Sequence, residues 1–462
     1  VRIPGVRFIA TGKARFGRSK LRVTAEVEQD CSAEFPSFPF SAGSPLKIGG
    51  RTLLREVGFP AQLQGGDLRS ELPEPDGDAS PGRVVLLRSL ATPGEVESIL
   101  SACRTTTWDE VSSDSVDGFA VFEFYAMREG RWSCENWQSM LGKLLQERLL
   151  PALQADFGPE VTPCHVLVRR YRNEERCRHP AHFDAHAYVT AVLAIRPECY
   201  QGGLYVQASH RAAERMYVGL ENGDVVAHSY DLLHGVFARG ERFSVILWCK
   251  DSLHSCQTNS SPWYRHDAES KHPHAMFNLA SNLEWGRFGY VRDVAEAEQW
   301  YRRATCAGSS MAANALASML ERQGSSLSEV LDLYRGAADA GLAEAALNLA
   351  RLCFNHAAVP QEEALSRLQC AANDRDTAAM VVLGRAMIEG RGCASDAAGG
   401  VEWLRRAADF GDPEAQLRLG LACVDGTLQQ DLAAARRWYG LAARQGHPRA
   451  KESLQVLEAS HG

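Results

Sequence analysis

The sequence predicts a two-part molecule: a mainly-β domain of the jelly-roll or β-sandwich kind, then an all-α solenoid. Short runs rich in Val, Leu and aromatic residues, separated by Gly, Pro and Asn, fill the stretch from about 164 to 249 and read as strands. Beyond Pro273 a helical pattern recurs at successive offsets of 37, 33, 34 and 36 residues, a period of two helices per repeat. At 462 residues the chain has room for two or three such units at roughly 150 residues each. Apolar residues at 45% and charged residues at 23% exclude wholesale disorder. The net charge of −7 gives no field that favours nucleic acid. No run approaches the roughly 18 apolar residues of a membrane span, and none is expected.

In chain order, residues 1–83 hold eight of the 19 prolines and an acidic run, Glu71 to Asp78, and read as a disordered tail. Its first 22 residues carry seven basic side chains and no acidic one, as a basic arm or part of a transit peptide would. The second unit spans 84–255. Val84–Leu87 reads as a strand, and Thr92-Pro93-Gly94-Glu95 supplies an N-cap, a proline at N1 and a glutamate at N3 for a helix over 96–103. Residues 135–157 space Trp137, Leu141, Leu144, Leu145, Leu149, Leu150 and Leu153 as a second helix. Strands are expected over 164–171, 187–195, 204–208, 224–228 and 243–249. Residues 256–272 read as a linker. Over 273–462, Ala-x-x-x-Leu-Ala/Gly recurs from Ala275, Ala312, Ala345, Ala379 and Ala415, about five repeats. Gly308, Gly341, Arg375, Gly411 and Gly446 follow the second helix of each, four of five being the residue that ends helices in the left-handed region.

The chemistry concentrates in 180–251. His182-Phe183-Asp184 puts an imidazole and a carboxylate on one face of an extended chain. His234, fifty residues on, adds a third ligand, and two His with one carboxylate leave open positions on an octahedral metal, as non-haem Fe(II) chemistry requires. Arg242-Phe243-Ser244 supplies a cation able to hold a carboxylate bidentately, with a hydroxyl beside it. His186 and His228 compete as ligands or neighbours of the metal. Thirteen cysteines without a C-x-x-C indicate neither a disulfide framework nor a cysteine zinc site, and favour a reducing, cytoplasmic compartment over the secretory lumen.

Taken together, His182-x-Asp184, His234-Gly235-Val236 and Arg242-x-Ser244, with the Gly202-Gly203 turn, resemble the 2-oxoglutarate/Fe(II) dioxygenase family in its prolyl 4-hydroxylase-like branch. The resemblance runs from about Val84 to Asp251 and implies a double-stranded β-helix. It makes His182, Asp184 and His234 the iron ligands and Arg242 the partner of the 2-oxoglutarate C5 carboxylate. Ser244, Tyr171 and Thr190 are then expected around the co-substrate, and ascorbate as an accessory reductant. The reaction implied is hydroxylation of a peptidyl, prolyl residue with release of succinate and CO2. The C-terminal array resembles Sel1-like repeats, relatives of tetratricopeptide repeats, which implies a concave surface that binds protein or peptide. Two other readings stand beside it. One is an interaction scaffold carrying an inactive dioxygenase-like domain; the other is a zinc hydrolase, which gives Arg242 and Ser244 no purpose.

Overall fold

The structure is a computed structural model. It describes residues 83–461 apart from 109–111, 114–119, 173–174, 208, 211–214, 357–359 and 426–429, together with five short strands before residue 83. The tail expected over 1–83 therefore lies almost wholly outside the described residues, as does much of the loop region around 114–118 and 207–213.

The β-rich part opens on β1 (Val84–Leu87) and α1 (Pro93–Thr105), whose Thr92 and Glu95 form the reciprocal cap that the sequence predicts. β2 (Ala120–Arg128) follows, then α2 (Glu135–Leu144) and α3 (Leu150–Phe157), joined by a π turn over Leu145–Leu149. That turn interrupts the single helix expected over 135–157 and ends two residues before Pro151, whose missing N–H cannot close a regular turn. The remaining strands are β3 (Thr162–Tyr171), β4 (Arg178–His182), β5 (Val189–Ile195), β6 (Tyr200–Gln207), β7 (Arg215–Tyr217), β8 (Val225–Ser229), β9 (Leu233–Gly240) and β10 (Arg242–Lys250).

All pairings are antiparallel. The larger sheet runs β1-β8-β5-β10-β3-β2, with two-residue strands at both edges, and the smaller runs β4-β9-β6-β7. Alternation sorts the strand residues. Val166, Val168, Ala191, Leu193, Val245 and Leu247 face the helices, where Ile99, Leu100, Leu141 and Leu149 cover them. Tyr171, Val192, Val226, Leu204, Val206 and Val236 meet between the sheets. This is the jelly roll of the sequence reading, and its interior is where the chemistry-bearing side chains converge.

The stretch 256–272, expected as a linker, is instead helical: α4 (Leu253–Thr258) and α5 (Trp263–Glu269) lead into the repeats. A disulfide joins Cys164 at the start of β3 to Cys256 on α4, a single bond among the described residues where the cysteine spacing indicates no disulfide framework. The array comprises α6 (Pro273–Trp285), α7 (Val294–Cys306), α8 (Ser310–Arg322), α9 (Leu327–Asp339), α10 (Ala343–Asn355), α11 (Gln361–Asn373), α12 (Thr377–Glu389), α13 (Ala397–Asp409), α14 (Pro413–Asp425), α15 (Leu432–Arg444) and a closing α16 (Pro448–His461). Ala275, Ala312, Ala345, Ala379 and Ala415 are all fully buried, the close-packing positions of five helix pairs. Gly308, Gly341, Gly411 and Gly446 all have positive φ, and Arg375 takes the same conformation at φ 66°. Where α12 crosses α13, a Cβ on Gly384 would lie 2.7 Å from the Gly400 carbonyl oxygen, and one on Gly400 2.5 Å from that of Gly384, so only glycines fit. No helix among the described residues is long and apolar enough to cross a membrane.

Candidate metal centre

β4 ends at His182, and the chain then turns sharply, with the Ala187 N–H donating to the Asp184 carbonyl. His182 lies opposite His234 in the β4–β9 register, which brings a residue from each side of a fifty-residue gap face to face. The result is a cluster in which one ligand atom from each of His182, Asp184 and His234 lies within 4.8 Å of the others. Asp184 Oδ1 is 3.5 Å from His182 Nε2, and Oδ2 is 3.5 Å from His234 Nε2.

The surroundings set the protonation of each group. His182 donates Nδ1–H to the Pro180 carbonyl at 2.9 Å, and His234 donates Nδ1–H to the Leu232 carbonyl at 3.1 Å. Both rings therefore present an Nε2 lone pair to the centre, the tautomer that a metal ligand needs. Burial, reinforced by His228 and His182, pushes the His234 imidazole well below its usual value and keeps it neutral. Burial alone would raise the Asp184 carboxyl, but a proton entering the cluster goes first to the facing imidazoles, and the charge of His234 and His182 then holds the carboxyl well below the ordinary carboxylate range. Asp184, 4% exposed, accepts at Oδ2 from the Thr190 hydroxyl (2.6 Å) and from the Trp248 indole N–H (3.3 Å).

Trp248 orients the rest of the site. Arg242, Ser244, Ile246 and Trp248 alternate on β10, so the face that meets Asp184 also carries Arg242 and Ser244. Arg242 is 2% exposed, and its guanidinium lies between the Tyr171 ring of the larger sheet (5.3 Å) and the Tyr200 ring of the smaller (5.6 Å). Its Nε and Nη1 and the Ser244 hydroxyl find no hydrogen-bond partner among the described residues. Buried donors of this kind cost free energy until an acceptor meets them, and a guanidinium beside a hydroxyl is a carboxylate cradle. The donor set thus fits a divalent metal on one side and an anionic, oxygen-rich ligand on the other.

Each residue singled out by the sequence is placed in or beside this interior. Thr190 differs in detail: its hydroxyl is committed to Asp184 rather than free to line a ligand pocket. His186 sits in the turn after Asp184, packed perpendicular to Trp248 at 4.1 Å, and burial lowers it to about 4. His228 lies tilted against His234 at 4.3 Å, with its Nδ1–H donated to the Ser229 carbonyl. Neither belongs to the three-residue cluster. Trp248 and Tyr200 were missed. Strand alternation from Arg242 would have found Trp248; Tyr200 has no local signal, since only the facing of the two sheets brings it to Arg242.

The family model for the Sel1 repeat matches residues 273–309, 377–412 and 413–447, so the C-terminal array contains Sel1 repeats at these three stretches. No curated protein matches the chain. Among solved structures, the chain is similar to a protective antigen of uropathogenic Escherichia coli with an SLR fold (25% identity, TM-score 0.40). That match covers 45% of this chain and spans only 45% of the other. It is also similar to an oxidoreductase of the 2OG-Fe(II) oxygenase family from Burkholderia pseudomallei (18% identity, 36% of this chain and 85% of that one, TM-score 0.30). A third is a prolyl hydroxylase from Trichoplax adhaerens, in complex with a hypoxia inducible factor peptide fragment (14% identity, 38% and 87%, TM-score 0.30).

Proposed function

We propose that the protein is an Fe(II)- and 2-oxoglutarate-dependent dioxygenase that hydroxylates a peptidyl residue, a prolyl one in the first instance, and that its Sel1 repeats engage the protein substrate. The observation that carries this reading is the pairing of a His-Asp-His cluster with a buried guanidinium and hydroxyl that have no acceptor of their own. A zinc hydrolase leaves Arg242 and Ser244 without a task.

His182, Asp184 and His234 would hold the iron, and Arg242 with Ser244 the C5 carboxylate of 2-oxoglutarate. When bound, that pair with O2 supplies the oxidising chemistry: the keto acid is decarboxylated to succinate and CO2, and one oxygen atom enters a substrate C–H bond. This chain's own residues do the rest. The Pro180 and Leu232 carbonyls fix the two imidazole tautomers, while Thr190 and Trp248 hold the carboxylate in place. Tyr171 and Tyr200 wall the guanidinium from water, which strengthens its hold on a carboxylate. In this reading ascorbate would serve as an accessory reductant.

The test is incubation of Fe(II)-loaded protein with proline-containing peptides, 2-oxoglutarate and O2. A peptide heavier by one oxygen atom, formed with matching succinate, is the expected result. Iron bound without any consumption of 2-oxoglutarate would favour the scaffold reading instead.

A further inference from the structure

The entry to the repeats touches both loops that carry the candidate metal ligands. Tyr264, fully buried on α5, donates its hydroxyl to the Ala185 carbonyl at 2.9 Å. Ala185 follows Asp184 directly, and its own N–H donates to the Phe183 carbonyl, so the phenol pins the turn that aims the carboxylate. Phe183 lies against His274 of α6, ring centroids 3.9 Å apart. On the second loop, His272 caps α6 by accepting the Ala275 N–H at Nδ1. Its Nε2 therefore carries the proton and donates to Asp231 Oδ2 at 3.2 Å. The next residue, Leu232, provides the carbonyl that fixes His234. Tyr230 adds a hydroxyl bond to Asp267 of α5.

The array returns at the other end of the same strand. Arg178, at the start of β4, pairs with Asp412 in the turn before α14 at 3.3 Å, and Asp412 also accepts from Thr377 of α12. β4 is an edge of the smaller sheet; its first residue pairs with the turn before α14, and the loop that follows it touches α5 and α6.

We infer that the helical entry to the repeats, α5 with the cap of α6, is a positioning device of the metal centre, and that Tyr264 and His272 hold the Asp184 and His234 loops from outside without touching the ligand atoms. This rests on the metal reading above. Groups that orient ligands from behind typically change metal affinity by about 10- to 100-fold.

The test uses the full chain with Tyr264→Phe, His272→Gln and, as a control within the repeats, Arg335→Gln, which breaks the pair with Glu363. Amide hydrogen exchange of the metal-free protein is read over 183–187 and 229–235, and Co(II) is titrated as a spectroscopic probe. Tyr264→Phe is expected to speed exchange over 183–187, and His272→Gln over 229–235. Each should weaken Co(II) binding by about 10- to 100-fold and alter its visible absorption band; Arg335→Gln should do neither. Native exchange and native Co(II) affinity in both junction variants would overturn the inference, as would faster exchange with unchanged affinity and spectrum. Should the native chain bind no Co(II), the metal reading fails, and the exchange arm alone decides whether the entry to the repeats holds these loops.

Discussion

Arg242 is a cation walled in by two tyrosine rings, and its Nε and Nη1 lack acceptors among the described residues. Replacement by lysine would not be conservative, because a point charge cannot form the two parallel bonds a carboxylate accepts. Thr190 offers a sharper test of the metal side. Thr190→Val removes a donor to Asp184 at nearly constant volume, and titration with Fe(II) or Co(II) should show affinity lower by about 10- to 100-fold. Unchanged affinity would place the hydroxyl outside the site's machinery. The buried imidazoles also set a pH dependence. His186, at about 4, and His228 and His234, also lowered by burial, stay neutral in the folded protein, while in the unfolded chain they protonate near 6.5. Stability of the metal-free protein should therefore fall as pH drops from about 6.5 toward 4, with Asp184 adding its loss only below the ordinary carboxylate range. A melting temperature flat between pH 7 and 5 would contradict this. His182, Asp184, His234, Arg242 and Ser244 were legible because their chemistry depends on residue type and short spacing. The tie between Thr190 and Asp184 was not, since it depends on where a turn sends the chain.

Gly235 shows how an element carries a site. A Cβ there would lie 2.4 Å from the Tyr205 hydroxyl and 2.8 Å from the His179 carbonyl oxygen, so β9 reaches its neighbours only because the residue after His234 has no side chain. Gly235→Ala should displace the strand, cost on the order of 1–3 kcal/mol and weaken metal binding with it, as denaturant melts and Co(II) titration would reveal. A variant with native stability and affinity would show that the strand can shift without consequence. The strong elements were readable from periodicity: the capped α1, β3, β5, β10 and the paired helices with their buried alanines. β4 and β9 were not, although they carry His182 and His234. β4 contains a proline and three polar residues, and β9 carries a histidine, an arginine and two glycines among its eight residues, so neither has the apolar texture that marks a strand. α4 and α5 were lost to a polar, Ser-rich stretch whose helices are held by packing of Trp263 and Tyr264 rather than by local propensity.

On the scale of the whole molecule, the β-rich part and the repeats meet through a continuous junction. Trp263, Tyr264 and Tyr230 pack in one core with the first repeats, and Lys250 of β10 donates to the Ser260 carbonyl. The Cys164–Cys256 disulfide crosses it and closes a span of 92 residues. Reduction, or Cys256→Ser, should lower stability by about 2–4 kcal/mol, read as a fall in the denaturation midpoint. A midpoint unmoved by reductant, with both thiols alkylated in untreated protein, would contradict the bond. Spacing alone gave no hint of it, because the two cysteines meet only after the sheet has formed. The central claim is that the interior between the two sheets binds Fe(II) and 2-oxoglutarate together. It is tested most directly by anaerobic Fe(II) reconstitution followed by O2-dependent succinate release from 2-oxoglutarate, comparing the native chain with His234→Ala and Arg242→Ala. The account predicts iron bound by the native protein and by Arg242→Ala but lost in His234→Ala, with succinate formed at a substantial rate only by the native protein. Well-folded native protein that binds no iron, or native rates of succinate release in Arg242→Ala, would contradict it.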